Sequence, residues 1–122
     1  MNPGLIKLAQ AQGAVGKFRI VAHGTEDGTA KQAATADDAV IGVTEGFAYV
    51  NGDRFDVVRN GMGEVTLGGP VTRGDPLVSD AEGRAVVAPA ANTSRIVGFA
   101  EISGVAGDII PLTIAPQFIT LP

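Results

Sequence analysis

Apolar side chains recur along this chain in short groups at alternate positions, separated by turn dipeptides. That is the spacing of strands, not of an amphipathic helix. Phe18, Ile20 and Ala22 alternate with Arg19, Val21 and His23. Thr25-Glu26-Asp27-Gly28 then supplies a hairpin turn, with Gly28 free to take positive φ. Residues 40–43 form a short apolar strand, Asn51-Gly52 turns into residues 55–59, and Asn60-Gly61 turns into residues 64–67. The second half repeats the habit with residues 76–79, the turn Asp80-Ala81-Glu82-Gly83, and strands over 84–87, 96–102 and 109–114. Pro111 lacks an N–H, so it predicts a bulge or an edge. No sustained helical stripe occurs. The pattern predicts an all-β fold, a small barrel or sandwich of short strands.

A longer-range similarity runs through the same pattern. Ile41-Gly42-Val43-Thr44-Glu45 leads to Gly52-Asp53, and Val97-Gly98-Phe99-Ala100-Glu101 leads likewise to Gly107-Asp108. Gly28 and Gly83 precede these strands at nearly the same distance. Two readings are open. Either a strand unit is present twice, each copy unable to close a core alone, or short strands and glycine turns simply make a β protein look self-similar.

The ends differ from the middle. Residues 1–16 mix Leu5, Ile6 and Leu8 with Ala, Gln and Gly, and residues 116–122 are apolar and uncharged. We therefore expect an N-terminal arm over 1–16, a β domain over 17–115 and a C-terminal tail over 116–122. Chain ends fray unless something ties them down, so extended apolar arms point to docking, on this domain or on a neighbour. The candidate contact residues are Asn2, Leu5, Ile6, Leu8, Gln117, Phe118, Ile119 and Leu121.

Composition narrows the function. The hydrophobic fraction of 45% is carried by small and β-branched residues, while aromatics make up 5% with no Trp. Such side chains suit closely approaching sheets better than a ring-lined pocket. Net charge is −4 and there is no run of Lys or Arg. A protein that grips nucleic acid must displace counterions from phosphate, so no nucleic-acid partner is expected, nor an anionic membrane. The absence of Cys removes disulfides, thiolate metal sites and a cysteine nucleophile together. The opening residues lack the apolar run of a signal peptide, and no stretch approaches the length of a bilayer span. The expectation is a protein made and used without crossing a membrane.

The search for chemistry returns little. A lone His23 cannot build a zinc site of the usual composition, and no nucleophile elbow accompanies it. Asp27, Asp37, Asp38, Asp75, Asp80 and Glu82 all fall in turn contexts, where short acidic side chains bond nearby amides. Asp80-Ala81-Glu82-Gly83 lacks the alternating ligands and distal Glu of a calcium loop. Gly61-Met62-Gly63 and Gly68-Gly69-Pro70 do not continue into a phosphate-cradling pattern and read as loop glycines. Arg73-Gly74-Asp75 matches an adhesion tripeptide, but its place before Pro76-Leu77 favours a turn entering a strand. No cofactor, metal or catalysis is expected.

The stretch Val71-Thr72-Arg73-Gly74-Asp75-Pro76-Leu77-Val78-Ser79-Asp80-Ala81-Glu82-Gly83-Arg84-Ala85-Val86 resembles a recurrent segment of small phage head proteins. In these a Gly-Asp turn enters a strand and an Asp-x-x-Gly hairpin follows. The flanking pieces at residues 41–45, 96–100 and Gly107-Asp108 fit as well, so the resemblance covers roughly residues 17–115. The family is that of the tailed-phage capsid decoration or cement proteins. It implies a non-enzymatic virion protein, made in the host cytoplasm, that binds the outer surface of the mature capsid and braces it. The implied partners are the major capsid protein and further copies of the chain, as a homotrimer rather than a dimer. The competing expectation is a carbohydrate- or receptor-binding surface module, which the single Tyr49 and missing Trp disfavour. A small β-barrel enzyme ranks last.

Overall fold

The computed structural model describes residues 6–90 and 93–120, with side chains from residue 9 onward. Ten strands follow one another: β1 (Ile6–Ala11), β2 (Ile20–His23), β3 (Thr29–Gln32), β4 (Val40–Val43), β5 (Arg54–Val58), β6 (Gly61–Thr66), β7 (Pro76–Ser79), β8 (Ala85–Val87), β9 (Thr93–Ala100) and β10 (Ile109–Thr120). The described residues contain no helix, and the fold is all-β.

The first five strands close a barrel in the order β1-β3-β2-β4-β5, and the next five form a sheet in the order β6-β10-β9-β7-β8. These are the same unit. β2 pairs antiparallel with β3 and β4, as β7 does with β8 and β9. β1 pairs antiparallel with β5, as β6 does with β10. The parallel contact of β1 with β3 has its counterpart in a parallel bridge from Leu67, just beyond β6, to Ala85. Of the two readings of the repeat, the duplicated unit is the one found.

Burial follows the duplication. Ala11, Val15, Val21, Ile41, Phe55 and Val57 fill the first unit. At the corresponding ladder positions Leu67, Val71, Leu77, Val97, Ile110 and Leu112 are buried in the second. That second core continues into Ile20, Ala22, Val43 and Val58 of the first unit, so the two units share one interior. Each fully buried Ile, Leu or Val contributes on the order of 1.5–3 kcal/mol, so the shared part holds the halves together. β2 is accordingly buried on both faces, with Ile20 and Ala22 in the shared core and Val21 in the first unit's core.

One turn recurs at each corner. In Val50-Asn51-Gly52-Asp53, Thr72-Arg73-Gly74-Asp75 and Val105-Ala106-Gly107-Asp108 the glycine lies at φ 91°. In each, the aspartate Oδ2 accepts from the first residue's N–H at 2.8–3.0 Å. The glycine N–H donates across to Ala11, Ala100 or Leu67, whose own N–H returns a bond to the aspartate carbonyl. Gly16-Lys17-Phe18-Arg19 is the fourth copy, and there Phe18 takes the positive φ, at 53°. Its N–H donates to the Glu45 carbonyl at 3.0 Å.

Several boundaries differ from the sequence-based expectation. Residues 6–11, assigned to an arm, are a barrel strand paired with β5 and β3. Residues 116–120, assigned to a tail, continue β10 and pair with β9. Both escape a periodicity reading because their partners, not their own alternation, hold them in place. Gly61, Met62 and Gly63 belong to β6 rather than to a loop, because Gly63 lets Ile114 and Val43 pack against the strand. The bulge falls at Ala115-Pro116, between the registers of Ile114 and Gln117. Pro111 lies where β9 has ended, its carbonyl accepting from Glu101.

Candidate interaction surface

The predicted contact residues divide in three. Asn2, Leu5 and Leu121 lie outside the described residues. Ile6 and Leu8 stand in β1 opposite Val58 and Asp56, so their backbone is engaged within the barrel. Gln117, Phe118 and Ile119 come together on the last stretch of β10, opposite Ile96, Arg95 and Ser94 of β9.

That stretch forms a two-stranded ribbon. β6 accompanies β10 only as far as Ile114, and β7 pairs with β9 only at Gly98 and Phe99. Residues 93–96 and 117–120 therefore pair with each other and with no further strand among the described residues. One face is anchored: Ile119 packs on a cluster of Val78, Ala88 and Ile96. The other face carries Phe118, 64% exposed, with the Arg95 guanidinium 4.7 Å from its ring centre. Beyond this pair the Thr93 and Thr120 hydroxyls bond at 2.8 Å. The ribbon thus offers unpaired strand edges next to an exposed aromatic, the combination used in strand addition.

A second feature lies where the units meet. A groove of about 420 Å³ is lined by Phe18, Val43, Thr44, Glu45, Val58, Met62, Gly63, Glu64 and Pro111. Its floor is the outer face of β6 and β10, where Met62, Glu64 and Pro111 alternate with core positions. The Thr113 hydroxyl beside it donates to Glu101 at 2.6 Å. Further apolar groups stand on the β4–β5 and β9–β10 loops, at corresponding positions of the two units. Phe47 and Val50 are the exposed pair of the first, Ile102 and Val105 of the second.

Several titratable groups hold turns together. Asp80 accepts from the N–H groups of Glu82 and Arg84 and pairs with the Arg84 side chain at 3.0 Å. Asp75 closes its turn on Thr72, so the aspartate of Arg73-Gly74-Asp75 is committed to the turn. Tyr49 stacks on Phe55 with ring centres 4.9 Å apart and is half-buried, so it presents no open platform. Burial, then the nearby Asp56, Glu45 and Asp53 carboxylates, push its hydroxyl upward in pKa. His23 is exposed at the end of β2. No group of three His, Asp or Glu side chains able to hold a metal occurs among the described residues.

No protein-family model matches the chain, and no curated protein does. Its fold is shared with a solved structure. The crystal structure of the head fiber gp8.5 N base of bacteriophage phi29 matches with a TM-score of 0.69, over 91% of this chain and 93% of that one, at 22% identity.

Sequence reasoning singled out Gln117, Phe118 and Ile119 but not Arg95, whose contact with Phe118 exists only through the β9–β10 register. It also missed the groove. The signal for Phe18 was available: Val15-Gly16-Lys17-Phe18-Arg19-Ile20-Val21 aligned on Val71-Thr72-Arg73-Gly74-Asp75-Pro76-Leu77 sets a phenylalanine against the turn glycine.

Proposed function

We propose that this chain is a non-enzymatic structural component of a tailed-phage head, binding the outer surface of the shell and stabilising it. The fold shared with a head-fibre base over nearly the whole of both chains carries this reading. The resemblance of residues 71–86 to decoration proteins supports it independently. The β9–β10 ribbon is the attaching element. Its free edges supply main-chain hydrogen bonds, and Phe118 with Arg95 supplies a desolvated anchor against the major capsid protein. A protein that binds only the assembled lattice stabilises that state by mass action. Copies of the chain associate as homotrimers at the shell's local three-fold positions.

The test mixes the purified chain with expanded heads of the phage that encodes it, followed by co-sedimentation and electron microscopy. Ordered extra density at repeating outer positions is the expected result. Heads that sediment without the protein, across a range of salt, would remove the proposal.

A further inference from the structure

Phe18 is the one described non-glycine residue at positive φ. At the three corresponding corners the chain uses Gly52, Gly74 and Gly107, because a Cβ in the left-handed region crowds the neighbouring carbonyl. A strained side chain persists where something outweighs the strain. Backbone hydrogen bonds supply part of the compensation: the Phe18 N–H donates to the Glu45 carbonyl and the Phe18 carbonyl accepts from the Thr66 N–H. The side chain itself belongs to none of the three buried clusters and is only partly buried. The Cζ of its ring lies 3.4 Å from where a Cβ on Gly46 would stand. The ring lines the groove at the junction of the units, together with Met62 and Pro111.

The groove's charge says what fits. Glu45 and Glu64 both line it, and among the described residues no Lys or Arg does. Neither carboxylate makes an ion pair among the described residues. The volume, about 420 Å³, is in the range that accepts a few side chains. We infer that the Phe18 groove is a docking site for an extended segment of a partner polypeptide, carrying an apolar side chain beside a lysine or arginine. The apolar side chain packs between the Phe18 ring and Met62, and the cation meets Glu45 or Glu64. This site is separate from the β9–β10 ribbon and stands or falls apart from shell attachment.

The test uses the intact chain with isotope-labelled amides and methionine methyls, titrated with two synthetic peptides. One is acetyl-Gly-Arg-Ile-Val-Lys-Gly-amide, the other its charge-reversed form acetyl-Gly-Glu-Ile-Val-Asp-Gly-amide. The basic peptide is expected to shift the Met62 methyl and the Gly46 and Gly63 amides saturably, and the acidic one to bind roughly tenfold more weakly or not at all. Phe18→Gly is expected to keep or raise the urea midpoint, since glycine suits this corner, while abolishing the saturable shifts. Glu45→Gln combined with Glu64→Gln is expected to weaken the basic peptide alone. Equal binding of both peptides, no saturable shift with wild type, or wild-type binding by Phe18→Gly would overturn the inference. So would a fall in sedimentation mass on Phe18→Gly, which would make the groove a contact between copies of this chain.

Discussion

Phe18 and Gly74 stand at the same corner of two copies of one turn, at φ 53° and 91°. Their N–H groups donate to the carbonyls of Glu45 and Ala100 at 3.0 and 2.8 Å. The cross-chain bond is shared and the closure differs. Asp75 accepts from the Thr72 N–H, whereas the Gly16 N–H donates to Gln32 Oε1. Thr44, not Glu45, returns the bond to the Arg19 carbonyl. A Cβ at that corner costs about 1–2 kcal/mol. Gly74→Ala should therefore lower stability by about that amount in urea unfolding. Gly69, where an added Cβ would find only Val86 Cγ1 at 3.8 Å, is the control, and Gly69→Ala should stay within about 0.5 kcal/mol.

Gly42 and Gly98 are constrained by space rather than by φ. A Cβ on either would collide with a backbone carbonyl, that of Val58 or of Thr113, and a ladder carbonyl cannot step aside. Gly98→Ala should cost at least about 2 kcal/mol, with a parallel loss for Gly42→Ala. Calorimetric melting of both variants checks this, and wild-type melting points would refute it.

The two faces of the ribbon allow stability to be tested apart from the proposed attachment. Ile96 is fully buried, so Ile96→Ala should lose about 2–4 kcal/mol. Phe118→Ala removes an exposed ring and its contact with Arg95, which is worth about 0.5–1 kcal/mol at such a site. Its melting curve should stay near wild type while the fraction bound to heads falls. Chemical denaturation and head co-sedimentation, run on both variants, distinguish the roles.

Asp38 should contribute an acid limb to stability. Burial is the largest single influence and raises its pKa. It is outweighed by hydrogen bonds from the Ala34 N–H and from the Thr35 hydroxyl and N–H, with Lys31 nearby adding attraction, and the net shift is downward. A carboxyl whose folded pKa is depressed adds stability above its unfolded pKa and loses it as pH falls through the folded value. Wild-type stability should thus decline below the ordinary carboxylate range, and Asp38→Asn should flatten part of that decline. Urea midpoints across pH 2–6, an interval spanning roughly the carboxylate titration, provide the measurement.

How much of this could be read in advance depended on whether the local sequence carried its own signal. Most strands announced themselves because glycine turns bracket β-branched runs, as at Gly83 before β8 and Gly107 before β10. β3 did not, since Thr29-Ala30-Lys31-Gln32 offers a single buried apolar side chain, Ala30. β1 is short on alternation and owes its place to partners far along the chain. The fourth corner turn was hidden because phenylalanine occupies the glycine position that marks the others. The ribbon's last residues were legible as exposed apolar chain but not as a strand, for their register comes from β9 alone.

The duplicated plan is also broken at its end. β5 stops at Val58, whereas its counterpart β10 runs on to Thr120. A body assembled from matching halves would otherwise offer two equivalent ways of sitting on any surface. A single overhang removes that ambiguity, giving the molecule a foot and a head. If the overhang is the foot, every copy set on a repeating surface takes the same heading.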